Sequence, residues 1–251
     1  MLTSQRKQHL LAVLKRDGQL VAKTLSQSLG LSEDTIRRDL RELAQEGLLQ
    51  RVHGGALPAS PAVANYTARQ QLAPSAKRAI GRAAAALIQS GQIILLDGGT
   101  TAVQVARQLA PDLKATIVTH SPSVAVELAN HLTVEVILIG GRLFKHSVVT
   151  VGASAVEALS HIRADIYFIG VTGVHVTQGL STGDLEEAYI KRALIRQAAE
   201  TIVLASVEKL GVASAYIIAP ISGATGMIVE SSTPPEIMAP FQELNLSITY
   251  A

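Results

Sequence analysis

Five short apolar runs, each followed within two residues by glycine or serine, constrain this chain more than any other feature. They are Gln92–Leu96, Thr116–Thr119, Val134–Ile139, Ile166–Ile169 and Thr201–Ala205, and Tyr216–Ile218 adds a sixth candidate. Between them lie segments of helical period, Lys77–Gln89, Thr101–Leu109, Pro122–Ala129 and Asp184–Ala199. Strands that are apolar on both faces and alternate with helices predict a largely parallel, buried sheet, hence an α/β domain. With 48% hydrophobic and 17% charged residues in 251, the chain can build such a core and is not of the disordered class.

The pattern before residue 57 is different. Gln5–Arg16 puts Leu10, Leu11 and Leu14 on one helical face and stops at Asp17-Gly18. Leu20–Leu29 is a second short amphipathic segment ended by Gly30. Ser32 is an N-cap for a third helix with Ile36, Leu40, Leu43 and Ala44 as its buried stripe, and Gly47 ends it. A short extended run, Leu48–Val52, and the turn His53-Gly54-Gly55 complete a winged helix-turn-helix. Residues 1–57 carry nine Lys/Arg against six Asp/Glu, while the remainder carries thirteen against fourteen. A small basic domain on a near-neutral body fits contact with a polyanion through one end. The expected organisation is therefore a DNA-binding domain at 1–57, a linker at 58–75 marked by Pro58 and Pro61, and a sensing and oligomerisation domain at 76–251.

The third helix carries the DNA argument. With Ile36 and Leu40 inward, Thr35, Arg37, Arg38 and Arg41 fall on or near the outer surface. Guanidinium groups near a helix start read guanine edges in the major groove or clamp phosphates. Asp39 is able to orient a neighbouring arginine. A solvated charged face is the plainer alternative for this segment alone; the two helices before it and the glycine-rich wing after it favour double-stranded DNA. Aromatics at 3% and no Trp argue against stacking on single-stranded bases.

Thr35-Ile36-Arg37-Arg38-Asp39-Leu40, followed by Gly47-Leu48-Leu49-Gln50-Arg51-Val52-His53-Gly54-Gly55-Ala56, resembles the DeoR family of bacterial regulators. The resemblance implies that the helix near Glu33 lies in the major groove, with Ser32 at its start, and that Arg51 and His53 flank a wing near the DNA backbone.

In the second domain, Asp97-Gly98-Gly99-Thr100-Thr101 joins a buried strand to a helix. Glycines permit close approach, helix-start N–H groups point outward and hydroxyls add donors, so the turn reads as a phosphate or polyol cradle or as a plain tight turn. Neither a Walker loop nor the Gly-x-Gly-x-x-Gly spacing is present. His120-Ser121, Gly140-Gly141-Arg142 and Gly170 end other strands, and Ser181-Thr182-Gly183-Asp184 opens the helix bearing Lys191. Ligands of open parallel sheets bind at strand C-terminal ends. This set resembles the DeoR-type effector domain, which shares its fold with ribose-5-phosphate isomerase and glucosamine-6-phosphate deaminase. The implied effector is a phosphorylated sugar or related metabolite. Basic side chains, hydroxyls and N–H groups would take the phosphate, and Asp97 the sugar hydroxyls. One departure stands out: the family commonly has Asp-Ser-Ser-Lys where this chain reads Ser206-Val207-Glu208-Lys209.

Enzyme signatures are weak. Gly179-Leu180-Ser181-Thr182-Gly183 matches a nucleophile elbow, but His175 is the last histidine, so no general base follows. No histidine pair has metal-ligand spacing, and no cofactor is expected. Without cysteine, thiolate sites and disulfides are excluded. No apolar run approaches the ~18–20 residues of a membrane span, and a cytoplasmic setting is expected. The reading is a repressor acting as a homo-oligomer, dimer or tetramer, because one small head buries too little surface for tight specific binding. The rivals are a sugar-phosphate isomerase or deaminase with an appended DNA domain, and a C-terminal half that only oligomerises.

Overall fold

Glycines and a serine punctuate the first quarter of the chain as its local chemistry requires. The computed structural model describes residues 2–251. It opens with α1 (Thr3–Asp17), β1 (Leu20–Val21), α2 (Ala22–Leu29), α3 (Glu33–Gln45), β2 (Leu49–Val52) and β3 (Gly55–Pro58). Gly18 ends α1 at φ 71, closing its N–H on the Leu14 carbonyl at 2.9 Å, a left-handed cap that a Cβ disfavours. Ser32 Oγ accepts from the Thr35 N–H at 3.2 Å to start α3, and Glu33 and Asp34 sit at the positive end of its dipole. Ile36, Leu40 and Leu43 of α3 close a core with Leu10, Leu14 and Leu25. The three strands form an antiparallel sheet in the order β1-β3-β2. A Cβ on Gly55 would lie 1.7 Å from the Leu20 carbonyl oxygen, so β1 reaches β3 only across a glycine.

Residues 59–73 do not hang free. Pro61 begins a short 3₁₀ turn over Pro61–Val63, where its missing N–H is not needed, so it starts an element instead of preventing one. Ser60 donates to the Thr172 carbonyl, Ala59 bridges Ala213, and the Tyr66 N–H donates to the His146 carbonyl at 2.8 Å. Asn65 then caps α4 (Tyr66–Gln71).

The sensing domain follows with α5 (Pro74–Ala86), β4 (Ile93–Leu96), α6 (Thr100–Arg107), β5 (Thr116–Thr119), α7 (Pro122–Leu128) and β6 (Glu135–Leu138). A hairpin of β7 (Arg142–Phe144) and β8 (Val149–Val151) leads to α8 (Ala153–Ser160), β9 (Ala164–Gly170), β10 (Gly173–His175) and β11 (Gly179–Thr182). The chain ends with α9 (Leu185–Gln197), β12 (Ala198–Leu204), β13 (Tyr216–Ala219), β14 (Gly226–Val229), α10 (Pro235–Gln242) and β15 (Ser247–Tyr250).

Seven strands form one sheet in the order β15-β14-β12-β9-β4-β5-β6, and every pairing in it is parallel. Alternation along β4 shows why it is apolar throughout: Leu95 joins the core under α8 and α9, whereas Ile94 and Leu96 join the core under α5 and α6. The five apolar runs all become strands of this sheet. Tyr216–Ile218 does not; as β13 it joins a second, antiparallel sheet ordered β10-β11-β13. It is less buried than the inner parallel strands, with Tyr216 and Ile217 exposed and only Ile218 buried, and in this it resembles the edge strand β6, where Ile137 and Leu138 are exposed.

Candidate DNA-reading face and effector pocket

On α3, Arg37, Arg38 and Arg41 are exposed, and so are Arg51 on β2 and His53 at the wing turn. Arg37 is held by Glu33 at 2.8 Å, an i,i+4 pair weak enough for a phosphate or base to replace. Ser32 and Thr35 bond each other through their hydroxyls at 2.9 Å at the helix start. Asp39 lies on the inner side, 1% exposed, and grips Arg6 of α1 through Nε and, at 2.9 Å, Nη2. The arginine it orients is thus 33 residues away, and the pair braces α1 against the reading helix. No spacing rule in the sequence connects those two positions.

The second site is built at the C-terminal ends of β4 and β9. Asp97, the first residue past β4, is fully buried and accepts four hydrogen bonds. Oδ1 takes the Gly98 N–H and His120 Nε2, both at 2.8 Å, and Oδ2 takes the Gly170 N–H at 2.7 Å and Lys191 Nζ at 2.5 Å. Burial alone would raise the Asp97 pKa, but the Lys191 charge and the His120 hydrogen bond outweigh it and hold the carboxyl well below its usual range. Burial, with the Asp97 charge nearby, holds the Tyr167 phenol well above its ordinary value; its Oη lies near that carboxylate without a well-formed hydrogen bond.

This corrects the expectation that Asp97 accepts from a ligand: it has no exposed surface, and both its oxygens are engaged. His120 is corrected with it. Its ring is 1% exposed and spans Asp97 and the Thr150 carbonyl (2.9 Å), behind the pocket wall. Ser121 is wholly buried with its hydroxyl turned to the Val148 carbonyl. Gly141 and Arg142 also lie outside the pocket. The chain leaves β6 into the β7–β8 hairpin, which packs Gly141 against Val151 and Ala155 and exposes Arg142 to solvent.

Gly98, Gly99, Thr100, Thr101, Gly170 and Lys191 do converge on one pocket. One wall is the first turn of α6, whose N–H groups have no partner within the helix. Arg69, Lys77 and Glu187, which sequence reading missed, complete it with Thr182, Glu208 and Lys209 from the two stretches singled out in the sequence. Arg69 enters from α4, with Nε and Nη2 buried and unpartnered, and burial lowers its pKa against the opposing charge of Glu187. Lys77 is likewise lowered by burial, and its Nζ donates to the Arg69 carbonyl. Lys209 is 6% exposed; burial, assisted by the neighbouring cations and opposed by Glu208, brings it down to about 8. In the departing Ser206–Lys209 stretch, Glu208 Oε1 accepts from Ser206 at 2.6 Å, while its buried Oε2 has no partner. The acidic residue has moved along the chain yet still borders the pocket. Four cations against two carboxylates, apart from the saturated Asp97, make a site that attracts an anion. Among the described residues, no group of three His, Cys, Asp or Glu is arranged to hold a metal ion, and no helix is long and apolar enough to cross a membrane.

Comparison with known proteins agrees with both halves. The profile of the DeoR-like helix-turn-helix domain matches residues 6–61, and that of the DeoR C terminal sensor domain matches residues 73–231. The HTH-type transcriptional regulator GlpR of Haloferax volcanii is 36% identical over 213 residues, 84% of this chain and 83% of that protein. The glycerol-3-phosphate regulon repressor of Escherichia coli is 29% identical over 239 residues, 95% of each chain. Ribose 5-phosphate isomerase A from Methanocaldococcus jannaschii overlays 53% of this chain and 52% of its own, with a TM-score of 0.39 and 19% identity.

Proposed function

The chain belongs to the DeoR family of transcriptional regulators, and from that premise we propose that it represses a carbohydrate-metabolism operon under the control of a phosphorylated sugar or related metabolite. The observation that carries the effector reading is the pocket at the strand ends, where Arg69, Lys77, Lys191 and Lys209 converge beside the free N–H groups of α6. A phosphate dianion there gains charge-assisted hydrogen bonds from fixed donors in a site largely closed to water. The proposed DNA contacts are Arg37, Arg38 and Arg41 in the major groove and Arg51 and His53 along the backbone, with Ser32 and Thr35 shaping the helix start. The protein works in the cytoplasm as a homo-oligomer joined through its sensing domain, two heads engaging two half-sites of operator DNA. The ligand needs to favour one arrangement of the heads by only ~1–3 kcal/mol to change operator affinity ~5–150-fold.

The test is a thermal-shift screen of phosphorylated against unphosphorylated sugars, followed by operator-release titrations with any hit. Stabilisation by phosphorylated members only, coupled to a change in operator affinity, is the expected result. Turnover of a pentose or hexosamine phosphate would point instead to an enzyme.

A further inference from the structure

Arg69 belongs to neither of the two matched regions, which end at residue 61 and resume at residue 73. It rides on α4, a helix of six residues of which none is buried as a whole. The segment around it is held to the sensing domain by polar contacts: Ser60 to the Thr172 carbonyl, Tyr66 to the His146 carbonyl, and His146 Nε2 to the Val63 carbonyl at 2.9 Å. From this perch the guanidinium turns inward, its Nη1 coming within 3.9 Å of where a Gly99 Cβ would stand. Two of its nitrogens, Nε and Nη2, are buried there without an acceptor. Glu187 and Asp97 are close enough to act on its charge but form no bond with it. A buried guanidinium without an acceptor is costly and persists where something else supplies the acceptor.

The same pocket holds the complementary orphan, Glu208 Oε2, an acceptor without a donor. A ligand presenting an oxyanion at one end and a hydroxyl at the other satisfies both. The pocket interior leaves room for little more than a water molecule, with the Arg69 guanidinium among its walls. A ligand that fills the pocket lies against Arg69 and so against the segment that carries it.

We propose that Arg69 is the phosphate-recognising residue that links the two domains: it binds the phosphomonoester group of the effector, with Glu208 taking a hydroxyl, and so ties occupancy of the pocket to the order of residues 59–73. This rests on the effector reading above and adds to it the residue through which the joining segment feels the ligand. An arginine fork pairs with two phosphate oxygens at once, which the lysines of the pocket cannot do.

The experiment uses the full chain, with inorganic phosphate and glycerol 3-phosphate as probes. Binding is measured by titration calorimetry for the wild type, Arg69→Met and the pocket control Lys209→Met, and hydrogen exchange is followed over residues 64–73. Arg69→Met is expected to weaken phosphate binding tenfold or more. Phosphate should slow exchange of 64–73 in the wild type and not in Arg69→Met. Because the substitution removes an unpartnered buried charge, Arg69→Met in phosphate-free buffer should melt no lower than the wild type; a large drop would make Arg69 structural and overturn the assignment. If Arg69→Met binds like the wild type while Lys209→Met does not, the Arg69 proposal is wrong and the pocket stands. If the wild type ignores both probes, or both variants bind normally, the proposal and the pocket reading fall together. Weakened binding with no change in exchange at 64–73 refutes the link to the joining segment.

Discussion

Replacing Asp97 by Asn is the sharpest test of how the sensing domain is held together. Four donors meet on the two oxygens of this side chain, from Gly98, His120, Gly170 and Lys191. An amide retains one oxygen and substitutes a donor for the other, so in either orientation an NH₂ group faces two donors. Lys191, 4% exposed, is left without its counter-charge. Breaking a buried charge pair from one side costs about 3–5 kcal/mol. At about 2–4 °C per kcal/mol for a domain of this size, the melting temperature should fall by roughly 6–20 °C. Asp97→Asn/Lys191→Met, which removes both charges, should recover a large part of that loss. The folded-state pKa of Asp97 lies below its ordinary 3.8, so its stabilisation is present above that value and disappears as the pH falls through and below it. The variant should therefore show a shallower acid limb. Calorimetric melts of the full chain across acid pH provide both readouts. A single variant that melts with the wild type, or a double variant less stable than Asp97→Asn, would refute the reasoning.

Other consequences are as direct. Arg37→Ala or Arg38→Ala should keep the melting temperature and weaken operator binding by about 1–3 kcal/mol, with relaxed specificity at one base position, read by electrophoretic mobility shift on a set of operator variants. Lys209 titrates near 8 in the folded chain against an ordinary 10.5, so the unfolded chain binds more protons between those values and stability rises with pH across that window. That rise is up to about 3 kcal/mol, and urea melts of Lys209→Met should lack it. Gly55→Ala forces a methyl against the Leu20 carbonyl oxygen, 1.7 Å away, and should destabilise the DNA-binding domain by about 1–3 kcal/mol, seen as loss of wing amide signals by NMR.

Local chemistry was readable from the sequence wherever partners are near in the chain. Ser32 with Thr35, Gly18 after Asp17, and the apolar runs that became β4, β5, β6, β9 and β12 all declare themselves within a few residues. The pocket was half legible, because the Asp97–Thr101 turn and Lys191 sit where strand ends meet helix starts. Asp97 itself was misread because a carboxylate at a strand end looks the same whether it faces ligand or interior. What decides is a lysine 94 residues away and a histidine 23 away, both brought to it by folding. Arg69 was invisible for another reason. Its helix has no apolar stripe and follows two prolines, so periodicity and composition both spoke for a linker, and its direction is fixed by contacts to Thr172 and His146 far along the chain.

The attachment of residues 59–73 to the sensing domain has a consequence for anyone recombining such regulators. A chimaera that grafts this sensor onto a foreign DNA-binding head needs its junction somewhere. The start of the matched sensor region at residue 73 would be the natural place to cut. That cut discards Ser60, Tyr66 and Arg69, strips one wall from the pocket and uncovers the Thr172 and His146 carbonyls that the segment had capped. A junction just after Pro58, where β3 ends and before Ala59 bridges Ala213, carries the wall with the sensor and leaves the β1-β3-β2 sheet with the head it came from.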